Sequence, residues 1–175
     1  DGSDPDPNND GNPDEMVETP IDFTEDAVLG VAKRLSEGPT NNEDGSYDMT
    51  FELRVENLGD VAIGDIQLTE DLATTFGSAA SWELLSVESE EFTVSSTYNG
   101  ASDTELLTGL DTLTTGNEGA VYVTVRVEPG STLTGYTNQV TVTGTSPSGE
   151  MLEDDSTNGS DPDPNSDGNP DEAVV

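Results

Sequence analysis

The stretch YDMTFELRVEN, residues 47–57, constrains the fold more than any other. Tyr47, Met49, Phe51, Leu53 and Val55 alternate with Asp48, Thr50, Glu52, Arg54 and Glu56. A period of two places the apolar side chains on one face of an extended strand and the polar ones on the other, so one face is buried and one is wet. AVYVTVRVEPG repeats the pattern with Val121, Val123, Val125 and Val127 inward. YTNQVTVTG does so with Tyr136, Asn138, Val140 and Val142. Further strands are expected around residues 63–68, 82–87 and 92–98. Turn signals separate them: NLGD, YNGAS, GNEG, EPGS and SPSG. Several such strands without clear helices predict an all-β, antiparallel sandwich over residues 16–157.

One segment reads two ways. TEDAVLGVAKRLSEG, residues 24–38, forms a helix with Val28, Val31, Ala32 and Leu35 on one face, or a first strand with Ala27, Leu29 and Val31 inward. The apolar spacing alone tilts toward the helix.

Composition narrows the function. The chain of 175 residues carries 38 Asp plus Glu against 4 Lys plus Arg, a net charge of −34, and has neither Cys nor His. Phosphate recognition needs a basic footprint, so nucleic acid is not an expected partner, and docking on anionic lipid is disfavoured for the same reason. Disulfides, thiolate zinc sites and histidine-based catalysis are excluded by residue type. No apolar run is long enough to span a bilayer. Such charge attracts hard cations, Ca²⁺ above all, and keeps an exposed polymer soluble; adaptation to high salt is a third reading.

A phrase written twice gives the acidity a pattern. DGSDPDPNNDGNPDEMVE begins at Asp1 and NGSDPDPNSDGNPDEAVV at Asn158, 157 positions later. They differ only at Asp1/Asn158, Asn9/Ser166, Met16/Ala173 and Glu18/Val175, so 14 of 18 positions match. Each copy alternates oxygen-bearing residues: Asp4, Asp6, Asn8 and Asp10 before Gly11, then Asp14 and Glu15. The second has Asp161, Asp163, Asn165 and Asp167 before Gly168, then Asp171 and Glu172. Side chains at i, i+2 and i+4 converge on one ion when the backbone curls, and glycine after the third permits the tight turn. The simpler reading is a solvated acidic linker stiffened by Pro5, Pro7 and Pro13. On either reading residues 1–15 and 158–175 are linkers flanking the sandwich. The phrase then marks a repeat boundary, with the chain covering one 157-residue unit and the start of the next.

The spacing D-x-N-x-D-G-x-x-D resembles the first nine positions of an EF-hand loop and, more closely, the calcium repeats of thrombospondin type 3. That resemblance implies side-chain oxygens from Asp6, Asn8, Asp10 and Asp14 and a backbone carbonyl from Asn12, with Asn169 as its counterpart in the second copy. The bidentate Glu of the EF-hand is replaced by Val17, where Glu15 or Glu18 could substitute. The body resembles the bacterial surface module called domain of unknown function 11, the conserved-repeat domain. The matching residues are Lys33, then Tyr47 to Asn57 with Gly59, then Ile66, Leu68, Asp71 and Leu72, and finally Tyr136, Asn138, Val140, Val142 and Gly144. The resemblance covers nearly the whole chain. It implies an immunoglobulin-like sandwich with AVLGVAKRLS as first strand, and residues 78–113 hold the excess over a typical domain of ~100 residues.

Nothing here points to an enzyme: paired acids such as Glu90–Glu91 and Asp154–Asp155 read as solvated charge. Lys33, the only lysine, and Asn138 stand where pilin domains place an intramolecular isopeptide bond, with Asp71 as candidate acid; the plainer reading is a salt-bridged lysine. Asn158-Gly159-Ser160 fits a glycosylation sequon, but the first copy has Asp1 there. Trp82 is expected in the core rather than on a sugar-binding face. The function expected is a calcium-rigidified extracellular spacer, one repeat of a large surface adhesin or filament. Its partners would be neighbouring repeats, or parallel copies in a filament. The competing expectation is a carbohydrate- or protein-binding adhesive domain.

Overall fold

A computed structural model describes residues 6, 8–11, 19–131, 133 and 135–170 of the chain. Among the described residues, nine strands and one short helix follow in the order β1 (Leu29–Asn41), β2 (Tyr47–Asn57), β3 (Ile63–Thr69), α1 (Leu72–Thr75), β4 (Ser81–Ser89), β5 (Asp111–Leu113), β6 (Glu118–Glu128), β7 (Thr141–Thr145), β8 (Met151–Asp155) and β9 (Thr157–Asn158). They form two sheets, β4-β6-β2-β1-β9 and β5-β3-β7-β8. The pairing is antiparallel except where β9 runs parallel to β1, Ala32 opposite Thr157 and Lys33 opposite Asn158. The expected immunoglobulin-like antiparallel β-sandwich is the fold found.

The core lies between the sheets and follows from the period-two patterns. Phe51 faces Val123 and Leu53 faces Val121 across the β2–β6 ladder. Val121, Val123, Val125 and Val127 are buried against Ile63, Ile66, Leu68 and Val142 of the second sheet. The opposite face of β2 is not simply wet, as the alternation predicted. Glu52 is only 2 % exposed, because Arg34 and Arg54 close over it from either side. Burial pushes the Glu52 carboxyl up, but hydrogen bonds from Arg54 and Arg34 outweigh it and hold the carboxyl below its ordinary value.

Residues 24–38 contribute to a strand, not a helix. Leu29, Gly30, Val31, Ala32 and Lys33 are buried in succession, which hides the period of two. Both faces of β1 are covered here: the inner by the core, the outer by Pro162 and Pro170 packed over Gly30. A strand buried on both faces cannot be told from a helix by apolar spacing.

Two expected strands differ. Residues 92–98 make a single bridge, Val94 with Leu107. The backbone pairing there stays short: the Ser95 amide donates to the Leu106 carbonyl (2.9 Å) and the Thr108 amide to the Thr93 carbonyl (3.0 Å), while the Asp111 carboxylate takes the Thr93 amide (2.8 Å) and hydroxyl (3.0 Å). The segment contributes Phe92 and Tyr98 to the core, and its partner segment contributes Leu106 and Leu107. Ladder pairing in YTNQVTVTG begins only at Thr141. Trp82 is half-buried on β4, packed against the core.

Candidate functional site

Where both are described, at residues 6 and 8–11 and at residues 163 and 165–168, the two copies of the acidic phrase share one conformation. In the first, the Asp6 carboxylate accepts from the amides of Asp10 (3.1 Å) and Gly11 (2.9 Å), and Asn8 Oδ1 accepts from the Asp10 amide (2.8 Å). In the second, Asp163 accepts from the amides of Asp167 (3.1 Å) and Gly168 (2.8 Å), and Asn165 Oδ1 accepts from Asp167 (2.8 Å). The Asn9 amide donates to the Asp6 carbonyl as the Ser166 amide does to that of Asp163. Backbone angles match as well: φ is 57° at Asn9 and 61° at Ser166, 87° at Gly11 and 86° at Gly168. Glycine follows the third polar residue because that position lies in the left-handed region. Neither loop borrows the other's surroundings, so the conformation is encoded in the phrase.

The structure therefore brings together Asp6, Asn8 and Asp10, and likewise Asp163, Asn165 and Asp167. The Asn169 amide donates to Asp167 Oδ1 (2.9 Å), and Asp161 Oδ1 accepts from the Asp163 amide (3.0 Å). Asp4, Asn12, Asp14, Glu15, Asp171 and Glu172 lie outside the described residues. Among the described residues, no three carboxylates are already gathered around one point as a metal cluster. Each loop holds a hard-oxygen set of two carboxylates and one amide. A carboxylate oxygen that accepts one amide proton keeps acceptor capacity for a cation.

What sequence reading missed is the seat of the second loop. Pro162, Asp163 and Pro170 are buried against the outer face of β1 and β2. A Cβ added at Gly30 would lie 2.7 Å from Pro170 Cβ and 2.9 Å from Pro162 Cβ. Glycine there is what lets the prolines reach the sheet. β9 leads into this seat: the Gly159 amide donates to the Lys33 carbonyl (3.0 Å), and Asp154 on β8 accepts from the Val31 amide (2.8 Å). Docking concentrates negative charge. Burial, and next the charge of Asp161, push the Glu56 carboxyl up, with Glu118 and Asp163 adding to the effect. The chain's four basic side chains are engaged within the sandwich: Lys33 with Glu70, Arg34 with Glu52, Arg54 with Glu52 and Glu118, Arg126 with Asp48. The balance of a −34 charge must come from cations in solution.

A second cluster lies inside the sandwich. Lys33 is 5 % exposed and Glu70, at the end of β3, is 0 % exposed. Lys33 Nζ lies 2.6 Å from Glu70 Oε1 and 2.5 Å from Oε2, with the Phe51 ring centroid 5.0 Å away. Asn138 Nδ2 donates to the same Oε1 (2.8 Å), and its Oδ1 accepts from the Thr75 hydroxyl (2.9 Å). Burial pushes the Lys33 amine down; its pairing with Glu70 opposes this without cancelling it. The carboxylate beside Lys33 is thus Glu70 and not the expected Asp71. Asp71 caps α1, accepting from the Thr74 amide (2.8 Å) and hydroxyl (2.8 Å). Alternation held the signal: Leu68 points inward, so Glu70 two residues later does too.

Beside this cluster opens an apolar groove of about 610 Å³, lined by Tyr47, Met49, Phe51, Leu133 and Tyr136 among others. Among the described residues no helix is long and apolar enough to cross a membrane. No protein-family model matches this sequence, and a search of curated proteins likewise finds no match.

Proposed function

We propose that the chain is one repeat of a long extracellular surface protein, a sandwich of the conserved-repeat kind, and that it acts as a stiff spacer. Ca²⁺ held by the duplicated phrase fixes the angle between successive sandwiches. The observation that carries this reading is the second loop: folded like the first, and seated on the sheet through Pro162, Pro170 and Gly30. A linker docked on its own sandwich transmits orientation to whatever follows it. By the repeat, the first loop would dock in the same way on a preceding unit. Cations suit this joint because Glu56, Asp161 and Asp163 crowd like charges into it. Weak sites suffice outside cells, where modules of this type bind at ~10⁻⁴–10⁻³ M.

The test is the shape of two units joined in tandem through the phrase, measured by small-angle scattering with calcium and again with a chelator. The expected result is a long, rigid particle that shortens and becomes flexible on chelation, with heat released on titrating calcium back. An unchanged profile and no heat would reject calcium. The apolar groove favours a second reading, an adhesive domain gripping a sugar or an apolar peptide. That reading predicts saturable binding that is lost on Met49→Asp and insensitive to chelation.

A further inference from the structure

We propose that Lys33 and Asn138 join in a covalent isopeptide bond, formed by the folded chain itself with Glu70 as proton carrier. Three features of the cluster carry this. The amine and the carboxamide share one carboxylate oxygen, Glu70 Oε1, at 2.6 and 2.8 Å, so nucleophile and leaving group are held side by side. Lys33 and Glu70 are buried, with the Phe51 ring over the nitrogen, and half-buried Asn138 stands beside them at the edge of the groove. The carbonyl to be attacked is already polarised, since the Thr75 hydroxyl donates to Asn138 Oδ1 at 2.9 Å.

The steps balance without any further reactant. Glu70 takes a proton from the Lys33 ammonium, which burial already disposes to lose it. The neutral Nζ adds to Asn138 Cγ, and the Thr75 hydroxyl stabilises the negative charge that develops on Oδ1. Glu70 passes its proton to Nδ2 and takes one back from the former amine. The Cγ–Nδ2 bond breaks and ammonia leaves through the adjoining groove. The products are an amide between Nζ and Cγ, a protonated Glu70 beside it, and one ammonia. Held geometry of this kind replaces a bimolecular encounter by a unimolecular step.

The placement gives the bond a structural meaning that a surface ion pair lacks. It ties β1 of one sheet to the segment entering β7 of the other, across the open end of the core. The inference does not depend on whether the loops bind calcium.

The test is the intact mass of the purified full chain under denaturing conditions. The expected value is below that of the sequence by one ammonia, and it returns to the sequence value in Asn138→Ala and in Glu70→Gln. Trypsin should fail to cut after Lys33, leaving that lysine's peptide joined to the one that follows Arg126. An Asn-Gly site can also lose ammonia by cyclising, and the chain has two, at Asn99 and Asn158. A deficit that persists in Asn138→Ala therefore overturns the proposal, as does a wild-type chain at full mass. Asn138→Ala leaves the Lys33–Glu70 pair in place, so this variant decides the question even if Glu70→Gln fails to fold.

Discussion

The seat of the second loop can be tested at one atom. Gly30 has an ordinary strand backbone, so alanine there strains nothing locally and acts only through space. Its Cβ would meet two proline rings at 2.7 and 2.9 Å, closer than carbon atoms approach, and a proline ring cannot swing aside as a long side chain does. Keeping the loop docked would cost about 1–3 kcal/mol of overpacking. The gross gain from docking is of similar order. Two buried rings of three methylenes each contribute roughly 5 kcal/mol at ~0.8 kcal/mol per methylene. Ordering the linker takes back ~1 kcal/mol or more per residue held. A loop balanced that closely should shift toward the undocked state about 5- to 150-fold. ¹⁵N relaxation at Asp163, Asp167 and Gly168 reads the change. In the wild type their order parameters should match the sandwich at ~0.85, and in Gly30→Ala fall below ~0.6. Gly64→Ala is the control, because its Cβ would meet nothing closer than 3.7 Å. The thermal midpoint of the sandwich should barely move in either variant. Order parameters that stay high in Gly30→Ala would show that packing at Gly30 does not hold the loop, and the docked-linker account would fail.

Other outcomes follow from the interior and the sheet surface. If Lys33 and Asn138 are joined, the tie closes a loop of roughly 100 residues, worth ~4.7 kcal/mol by loop entropy. Asn138→Ala should then lower the thermal midpoint by about 10–20 °C in calorimetry; a fall of only ~2 °C would contradict the tie. On the outer face, hydrogen bonds from Arg126 (2.7 and 2.8 Å) and then Asn42 (2.8 Å) hold the Asp48 carboxyl at about 2, below its ordinary 3.8. A carboxyl depressed in the folded state adds stability above its unfolded value, and that contribution is lost as pH falls through the folded one. The difference in midpoint between wild type and Asp48→Asn should be constant above pH ~4 and shrink as the pH falls through about 2. A difference that stays flat through this window would mean that the Arg126 pair contributes nothing.

The sandwich was legible because its central strands bury one face and wet the other. In β2 and β6 a period of two is enough to find every inward residue. β1 escaped because Gly30 is covered on the outside by prolines some 130 positions away, and local spacing carries no trace of that. The strand expected at residues 92–98 shrank to one bridge because its backbone partner is the short segment 106–108 and the Thr93 amide goes to the Asp111 side chain, a pairing 18 positions away that local spacing does not show. The ligand-bearing loops could be read because their conformation is local, made of amides bonded within five residues. The seat that gives the second loop its direction could not be read, because a buried glycine in a strand looks like a weakness until the prolines above it are seen. Glu70 was within reach: alternation from Leu68 turns it inward, whereas the motif drew attention to its neighbour Asp71.

Pulling on the chain would bring these features together. Tension applied at the ends enters at the start of β1 and leaves from the end of β9. These two strands are parallel neighbours, Ala32 beside Thr157 and Lys33 beside Asn158. Their loaded ends therefore lie at opposite ends of the pair, and tension shears the pairing rather than peeling it. The Gly159 bond to the Lys33 carbonyl and the Asp154 bond to the Val31 amide resist together. Once this seam gives way, an untied sandwich should unravel from residue 29 to residue 158 and lengthen by roughly 450 Å at ~3.5 Å per residue. With Lys33 bonded to Asn138, force passes directly from one to the other, and everything between them is spared. Only the short segments outside the tie can extend, by roughly 90 Å. Single-molecule stretching of tandem units distinguishes the two lengths without relying on the height of the force peak. Wild-type repeats should give the short step and Asn138→Ala repeats the long one. If wild-type and variant repeats both give the long step, no bond crosses the core. If both give the short step, whatever limits extension is not the amide at Asn138.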